Sequence, residues 1–316
     1  MKINNTPLVP VPLNREDGGK TCIVIVGQTA VGKTSVAIDL AKKYHTKIIS
    51  ADSRQCFKEI SIGVAKPSVE QLKEVPHYFI NSHSIQEEVN ARVFEAYALN
   101  AVEEIFKTND VAIVVGGTGL YINAFCNGID EIPDADISIR NNIIKSYNEN
   151  GLEWLQQQVK ENDPIYFSTG EIKNPQRLMR ALEVKLSTGK SIREFQKNNK
   201  VKRGFNIIKV GLELPKEELN RNIHHRVDMM MNDGLADEVK SLYSFRNLNA
   251  LQTVGYKELF EWMDGKISYE AAVGDIKKNT RHYAKRQMTW FKKDTSTNWF
   301  SMSDIISLVF FLDAGI

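Results

Sequence analysis

Residues 21–26 (Thr-Cys-Ile-Val-Ile-Val) are almost wholly apolar and rich in β-branched side chains, the pattern of a strand buried on both faces of a parallel sheet. A glycine-rich turn follows, and Val36, Ala37, Leu40, Ala41 and Tyr44 then recur at helical spacing. Residues 47–51 read as a second strand, ending at Asp52. The segment 91–106 carries Val93, Ala96, Tyr97 and Val102 on a helical pattern, and 111–115 is another apolar strand that runs into Gly116-Gly117-Thr118-Gly119. Strand–helix–strand alternation with short connections predicts an α/β sheet with helices on both faces.

The texture changes between residues 131 and 203. Ile139, Ile143, Ile144 and Tyr147, and then Leu178, Leu182 and Leu186, recur at helical spacing, and no strand pattern interrupts them. Pro175 opens one helix and Gly189 closes it, in keeping with ordinary start and stop chemistry. Strand character returns at 205–214, and 216–231, 235–244 and 269–291 read as helices. The economical organisation is a core made of 21–130 and 204–316, with 131–203 as a helical insertion domain. Residues 1–20 are polar and Pro-rich and lack the apolar centre of a secretory signal, so they are expected to form a flexible arm on a cytoplasmic protein. No apolar run has the length of a membrane helix, the longest being 305–312, which is expected to dock on the body.

A chain of 316 residues with 42% hydrophobic and 25% charged residues is neither collagen-like nor wholly disordered. Its three cysteines are too scattered for a disulfide framework or a zinc finger, and Cys22 and Cys126 read as core thiols. The net charge of +2 hides an uneven distribution. Residues 173–203 hold ten Lys and Arg against two acids, and 276–293 hold seven against none. Two basic blocks on an otherwise acidic body point to a local polyanion contact, with solvated helix faces as the plainer alternative.

Gly27-Gln28-Thr29-Ala30-Val31-Gly32-Lys33-Thr34 fits G-x-x-x-x-G-K-[ST], between the strand and the helix that this motif requires. Its backbone N–H groups would face phosphate oxygens, with the helix dipole and Lys33 adding positive charge and Thr34 offering a hydroxyl to Mg²⁺. The predicted fold class is therefore α/β, a P-loop NTPase-like parallel sheet flanked by helices with the helical insertion. Asp52 falls at the same sheet edge, as a general base, a metal ligand or a turn-capping aspartate.

Further segments complete an ordered pattern: Asp52-Ser53-x-Gln55, Ile62-Gly63-x-Ala65-Lys66-Pro67, Pro76-His77, Val115-Gly116-Gly117-Thr118-Gly119-Leu120-Tyr121, Asn174-Pro175-Gln176-Arg177-Leu178-x-Arg180, Gly234-Leu235-x-x-Glu238-Val239, Gly255-Tyr256-Lys257-Glu258 and Lys285-Arg286-Gln287-x-Thr289-Trp290. Over nearly the whole chain this set resembles the bacterial tRNA dimethylallyltransferase family. The resemblance implies transfer of a dimethylallyl group from dimethylallyl diphosphate to N6 of adenosine 37, in tRNAs that read codons beginning with U. It implies that the loop 27–34 holds the prenyl diphosphate with Mg²⁺, that Asp52 is the base, and that Thr34 and Arg226 stabilise the diphosphate. It assigns contacts with the tRNA anticodon stem-loop to Asp52, Ser53, Arg54 and Gln55; Thr118; Arg140; Gln176, Arg177, Leu178, Met179 and Arg180; Gln252, Thr253, Val254, Gly255, Tyr256 and Lys257; and Lys285 and Arg286. The chain departs from the family pattern at Ser61 and Val64, where Asp and Thr are usual, and at Gln28 and Val31, where Pro and Ser are common.

The basic blocks suit the backbone of an anticodon stem, Arg177 and Arg180 sharing one helix face and Lys277, Arg281 and Lys285 forming a second line. Three rival readings remain at this point: a small-molecule or nucleoside kinase using ATP at the same loop, an isopentenyltransferase acting on a free nucleotide, and a drifted paralogue that binds tRNA without turnover. The helix-surface pair His224-His225 shows no metal-ligand spacing, and Trp154, Trp262 and Trp290 read as packing residues. A monomer is the default expectation.

Overall fold

The computed structural model describes residues 19–197 and 200–316, so most of the expected arm at 1–20 lies outside the described residues. The described chain divides into two compact units, one of residues up to Cys126 with Lys202–Ile316, the other Asn127–Val201. The insertion thus runs over 127–201 and not 131–203.

In the first unit, β1 (Thr21–Gly27), β2 (Ile48–Ser50), β3 (His77–Tyr78), β4 (Val111–Gly116), β5 (Asn206–Glu213) and β6 (Asn298–Ser301) make one six-stranded sheet in the order β3-β2-β4-β1-β5-β6. All its pairings are parallel. Ile23 and Ile25 of β1 enter a core shared with Val36, Leu40 and Ala41 of α1 (Lys33–Lys43) and Leu308 and Leu312 of α13 (Ile305–Gly315). The alternate residues Cys22, Val24 and Val26 are just as buried, because successive side chains leave opposite faces and both faces are covered. Every strand therefore ends at the same sheet edge, and the segments after β1, β2 and β4 meet there, where parallel sheets bind ligands. Among the described residues no helix is long and apolar enough to cross a membrane.

The first unit also holds α2 (Val69–Glu74), α3 (Ala91–Phe106), α4 (Gly119–Asn127), α9 (Lys216–Asn232), α10 (Leu235–Ser241), α11 (Tyr256–Met263) and α12 (Tyr269–Phe291). The strand expectations hold for β1, β2, β4 and β5, whereas β3 and β6, of two and four residues, are too short for any periodic signal.

The second unit consists of α5 (Ile137–Asn162), α6 (Pro164–Thr169), α7 (Pro175–Thr188) and α8 (Ile192–Phe195). Its α5 is interrupted at Gly151, where the backbone turns to φ 77°. Asn174 caps α7 through the N–H groups of Gln176 and Arg177, and Gly189 ends it. Leu155, Val159, Leu178, Leu182 and Ile192 form the unit's own core. Asp163, almost wholly buried, accepts hydrogen bonds from the Tyr166 N–H at 3.0 Å and the Ser191 hydroxyl at 2.9 Å, which satisfies its carboxylate inside that core. Leu178 and Met179 belong to this core and present no side chain to an RNA. Leu178→Ala is expected to cost about 2–5 kcal/mol. A denaturant titration of the full chain followed on signals from this unit would show the loss, and an unchanged midpoint would contradict the assigned packing.

Candidate active site

The turn after β1 curls because Gly32 adopts φ 102°, a left-handed geometry open to glycine, directly before the first residue of α1. Lys33 and Thr34 open that helix, so their backbone N–H groups lie at its positive end. The Lys33 Nζ folds back to donate to the Gln28 carbonyl at 2.7 Å. From α9, Arg226 donates through Nη1 to the Thr29 hydroxyl at 3.1 Å. These groups line a cavity of about 690 Å³ that also holds Asp52, Ser53, Arg54 and Gln55, Gly116 and Gly117, Gln252–Gly255, Tyr283 and Arg286. Sequence positions more than two hundred residues apart thus share one chamber.

The Asp52 carboxylate is oriented by its own turn. Its Oδ1 accepts from the N–H groups of Arg54 at 2.8 Å and Gln55 at 3.3 Å, leaving Oδ2 without a hydrogen bond among the described residues. The turn-capping and the chemical readings of Asp52 are therefore compatible, one for each oxygen. Burial, and the neighbouring Arg226 guanidinium, push the Lys33 ammonium down to about 7, against the opposing pull of Asp52. Burial also lowers Arg226, again opposed by Asp52. Burial and the Asp52 charge push the Tyr283 phenol up to about 12. Two desolvated cations facing one carboxylate make the chamber receptive to an anion.

Opposite the phosphate loop, residues 61–65 form a wall held from two sides. Glu238 of α10 accepts from the N–H groups of Ser61, Ile62 and Gly63 at 2.8, 2.9 and 3.1 Å, and from the Tyr256 hydroxyl at 2.5 Å. Gln55 donates to the carbonyls of Val64 and Ala65 at 3.2 and 3.0 Å and accepts from the Ser50 hydroxyl. Glu258 of α11 accepts from the Gly255 N–H at 2.8 Å and from Asn279 of α12 at 2.7 Å, fixing the neighbouring 252–255 segment.

The residues expected to touch tRNA separate into distinct groups. Arg54, Thr253 and Val254 face the chamber half-exposed, and Gln252, Lys257, Lys285 and Arg286 are exposed in the same unit. Thr118 is half-buried, its hydroxyl accepting from the Ser53 N–H at 3.0 Å. In the second unit Gln176, Arg177 and Arg140 are exposed. Arg140 and Arg180 approach the buried Glu183 carboxylate at 3.8 and 3.5 Å. Tyr256 is not available to RNA, because it is fully buried against Gly63 with its hydroxyl on Glu238. Gly255 is buried as well, and the Gln55 carboxamide is already occupied by the wall. The Thr29 N–H, counted with the phosphate loop, is bonded at 2.8 Å to Gln287.

The basic blocks are less free than their counts imply. Arg203 is a half-buried partner of Glu95 at 2.5 Å and also donates to the Phe125 carbonyl. Lys277, Lys278 and Lys292 pair with Asp228, Asp275 and Glu213, and Arg281 lies against His224. Among 276–293, Lys285 and Arg286 are exposed, and Arg286 lines the chamber. Sequence reasoning gave no role to Gln287, Tyr283, Asn279, Glu238 or Glu258; the signal for Gln287 lay within the Lys285-Arg286-Gln287 motif itself.

No group of three or more His, Cys, Asp or Glu among the described residues forms a protein-only metal cage. Mg²⁺ commonly takes one or two protein oxygens and completes its octahedron with phosphate oxygens and water. Thr34 and Asp52, both lining the chamber, fit that sharing.

A lysine lowered to about 7 is a reactive amine at neutral pH. Limited acylation read by mass spectrometry is expected to label Lys33 with a half-point near pH 7, ahead of the surface lysines. Inorganic diphosphate should protect it. A half-point near that of ordinary lysines would contradict the electrostatics described.

Comparison with known proteins bears on this chamber. A family model described as IPP transferase matches residues 55–294. A tRNA dimethylallyltransferase of Cytophaga hutchinsonii is 44% identical over 295 residues, covering 93% of this chain and 97% of its own. Another, of Flavobacterium psychrophilum, is 46% identical over 284 residues, covering 88% and 92%. Among solved structures, the tRNA isopentenylpyrophosphate transferase of Bacillus halodurans superposes with a TM-score of 0.69 at 33% identity, over 94% of this chain and 96% of that one. A eukaryotic dimethylallyltransferase acting on tRNA superposes with a TM-score of 0.74 at 28% identity, over 90% and 75%. With similarity of this extent running through both units, the chain belongs to the IPP transferase family, a family of prenyltransferase enzymes whose curated members are named tRNA dimethylallyltransferases.

Proposed function

We propose that this protein transfers a dimethylallyl group from dimethylallyl diphosphate to N6 of adenosine 37 in tRNAs that read codons beginning with U. The observation that carries the reading is the convergence of the phosphate loop, Arg226 and the half-free Asp52 carboxylate on one chamber of one chain. The names of relatives matched over most of their length supply the substrate class. Because every group invoked lines a single cavity, a monomer suffices.

The chemistry follows from the charges. The exocyclic amine of adenine is a weak nucleophile, since its lone pair is delocalised into the ring. As N6 forms a bond to C1 of the allyl group, the C1–O bond breaks and its electron pair leaves with the diphosphate. The amine proton passes to Oδ2 of Asp52, which its turn holds ready. Negative charge growing on the leaving group meets Lys33, Arg226 and the N–H groups at the head of α1, so stabilisation rises towards the transition state. Mg²⁺ shared between Thr34 and the diphosphate would supply further charge neutralisation. A base in an unpaired loop can be turned out of its stack to reach such a chamber, as RNA-modifying sites require. Arg177, Arg140 and the exposed lysines of the second unit offer phosphate contacts to the anticodon stem.

Purified protein with Mg²⁺ and labelled dimethylallyl diphosphate is expected to label unmodified tRNA and not AMP. Label on AMP would favour action on a free nucleotide, and ATP hydrolysis without label transfer would favour a kinase. Asp52→Ala is expected to lower the transfer rate roughly 10²–10⁴-fold while tRNA binding stays close to wild type. Retained turnover in that variant would refute Asp52 as the base.

A further inference from the structure

The open lip of the phosphate loop is held shut by α12. Gln287, almost wholly buried, accepts from the Thr29 N–H at 2.8 Å and donates to the Gly117 carbonyl at 2.9 Å. Three residues earlier, the Ala284 carbonyl accepts from Gln28 Nε2 at 3.2 Å. From the other side Arg226 takes the Thr29 hydroxyl at 3.1 Å. A Cβ added at Gly117 would stand 2.2 Å from Gln287 Nε2 and 3.9 Å from Lys33 Nζ, so both side chains border the space that the missing side chain leaves open.

In loops of this type that hold a triphosphate, backbone amides cradle the α- and β-phosphates while the lysine reaches the β- and γ-phosphates. Here the Thr29 amide is already taken, and an uncharged carboxamide shares with Lys33 the cavity wall beside Gly117. The amides at Lys33 and Thr34, at the head of α1, remain on the inner side of the loop. A third phosphate extending past Lys33 towards Gly117 would have to displace Gln287, stranding a buried carboxamide together with the Gly117 carbonyl, which is unfavourable. We propose that Gln287 is a specificity-determining residue that sets the length of polyphosphate the loop accepts, admitting a diphosphate and refusing a triphosphate. The inference rests on the reading of the loop as a prenyl diphosphate cradle, and it adds why a nucleoside triphosphate does not compete there.

Inorganic diphosphate and inorganic tripolyphosphate, each with Mg²⁺, are the probes, titrated calorimetrically into the full chain. Charge alone favours the longer anion, so a preference for the shorter one reports a steric and hydrogen-bonding gate. The wild type is expected to bind diphosphate about tenfold or more tightly than tripolyphosphate. Gln287→Ala should shrink that preference about fivefold or more through tighter tripolyphosphate binding. An unchanged preference in a folded Gln287→Ala protein would overturn the assignment. If the variant does not fold, the wild-type ratio decides: equal or tighter tripolyphosphate binding overturns the gate. Diphosphate bound with no discrimination would sink the gate and leave prenyl transfer standing, whereas failure to bind diphosphate at all would remove both.

Discussion

Lys33 and Arg226 share the chamber beyond a fully buried strand, and the Asp52 carboxylate opposes the lowering of both. Burial makes both cations less basic, and the Arg226 charge lowers Lys33 further, so the chamber favours an entering anion. The fold creates that condition. β1 must be apolar on both faces to sit between β4 and β5, and its turn must then bend sharply to start α1. A tightly packed sheet keeps the cations from relaxing away, and the same rigidity would give the proposed diphosphate preformed partners.

Around this centre the side chains divide the work between touching a substrate and holding backbone. Asp52 does both, with one oxygen bound to its own turn and the other open. Gln287, Glu258 and Glu238 hold loops in register and are themselves buried or spoken for. Thr118 and Ser53 tie the turn after β4 to the turn after β2. Precision in the chamber thus depends on a second layer of hydrogen bonds at least as much as on the groups that would meet the reacting atoms.

Much of this was legible in the sequence because the central strands are short apolar runs with glycine punctuation, and the phosphate loop occupies a fixed place between strand and helix. The order of Asp52 after β2 and Gly116-Gly117 after β4 was enough to put them at one edge. Other features were not legible, for physical reasons. A motif such as 176–180 spans more than one helix face, so exposed Arg177 and buried Leu178 and Met179 travel together. Counting charge cannot see Arg203 sealed against Glu95 across 108 positions, or Lys277 paired with Asp228. Tyr256 was placed among the tRNA contacts by the resemblance, but its ring covers Gly63, a contact visible only in three dimensions.

The departures at Ser61 and Val64 acquire a different meaning from the wall they belong to. Glu238 and Gln55 grip that segment by its peptide groups, amides on one side and carbonyls on the other. Peptide groups are the same whatever side chain they carry, so the path of the segment is insulated from drift at those two positions. Evolution can retune what the wall shows to a substrate while its course stays put, and the anchoring burden falls on Glu238 and Gln55, where change is least tolerable.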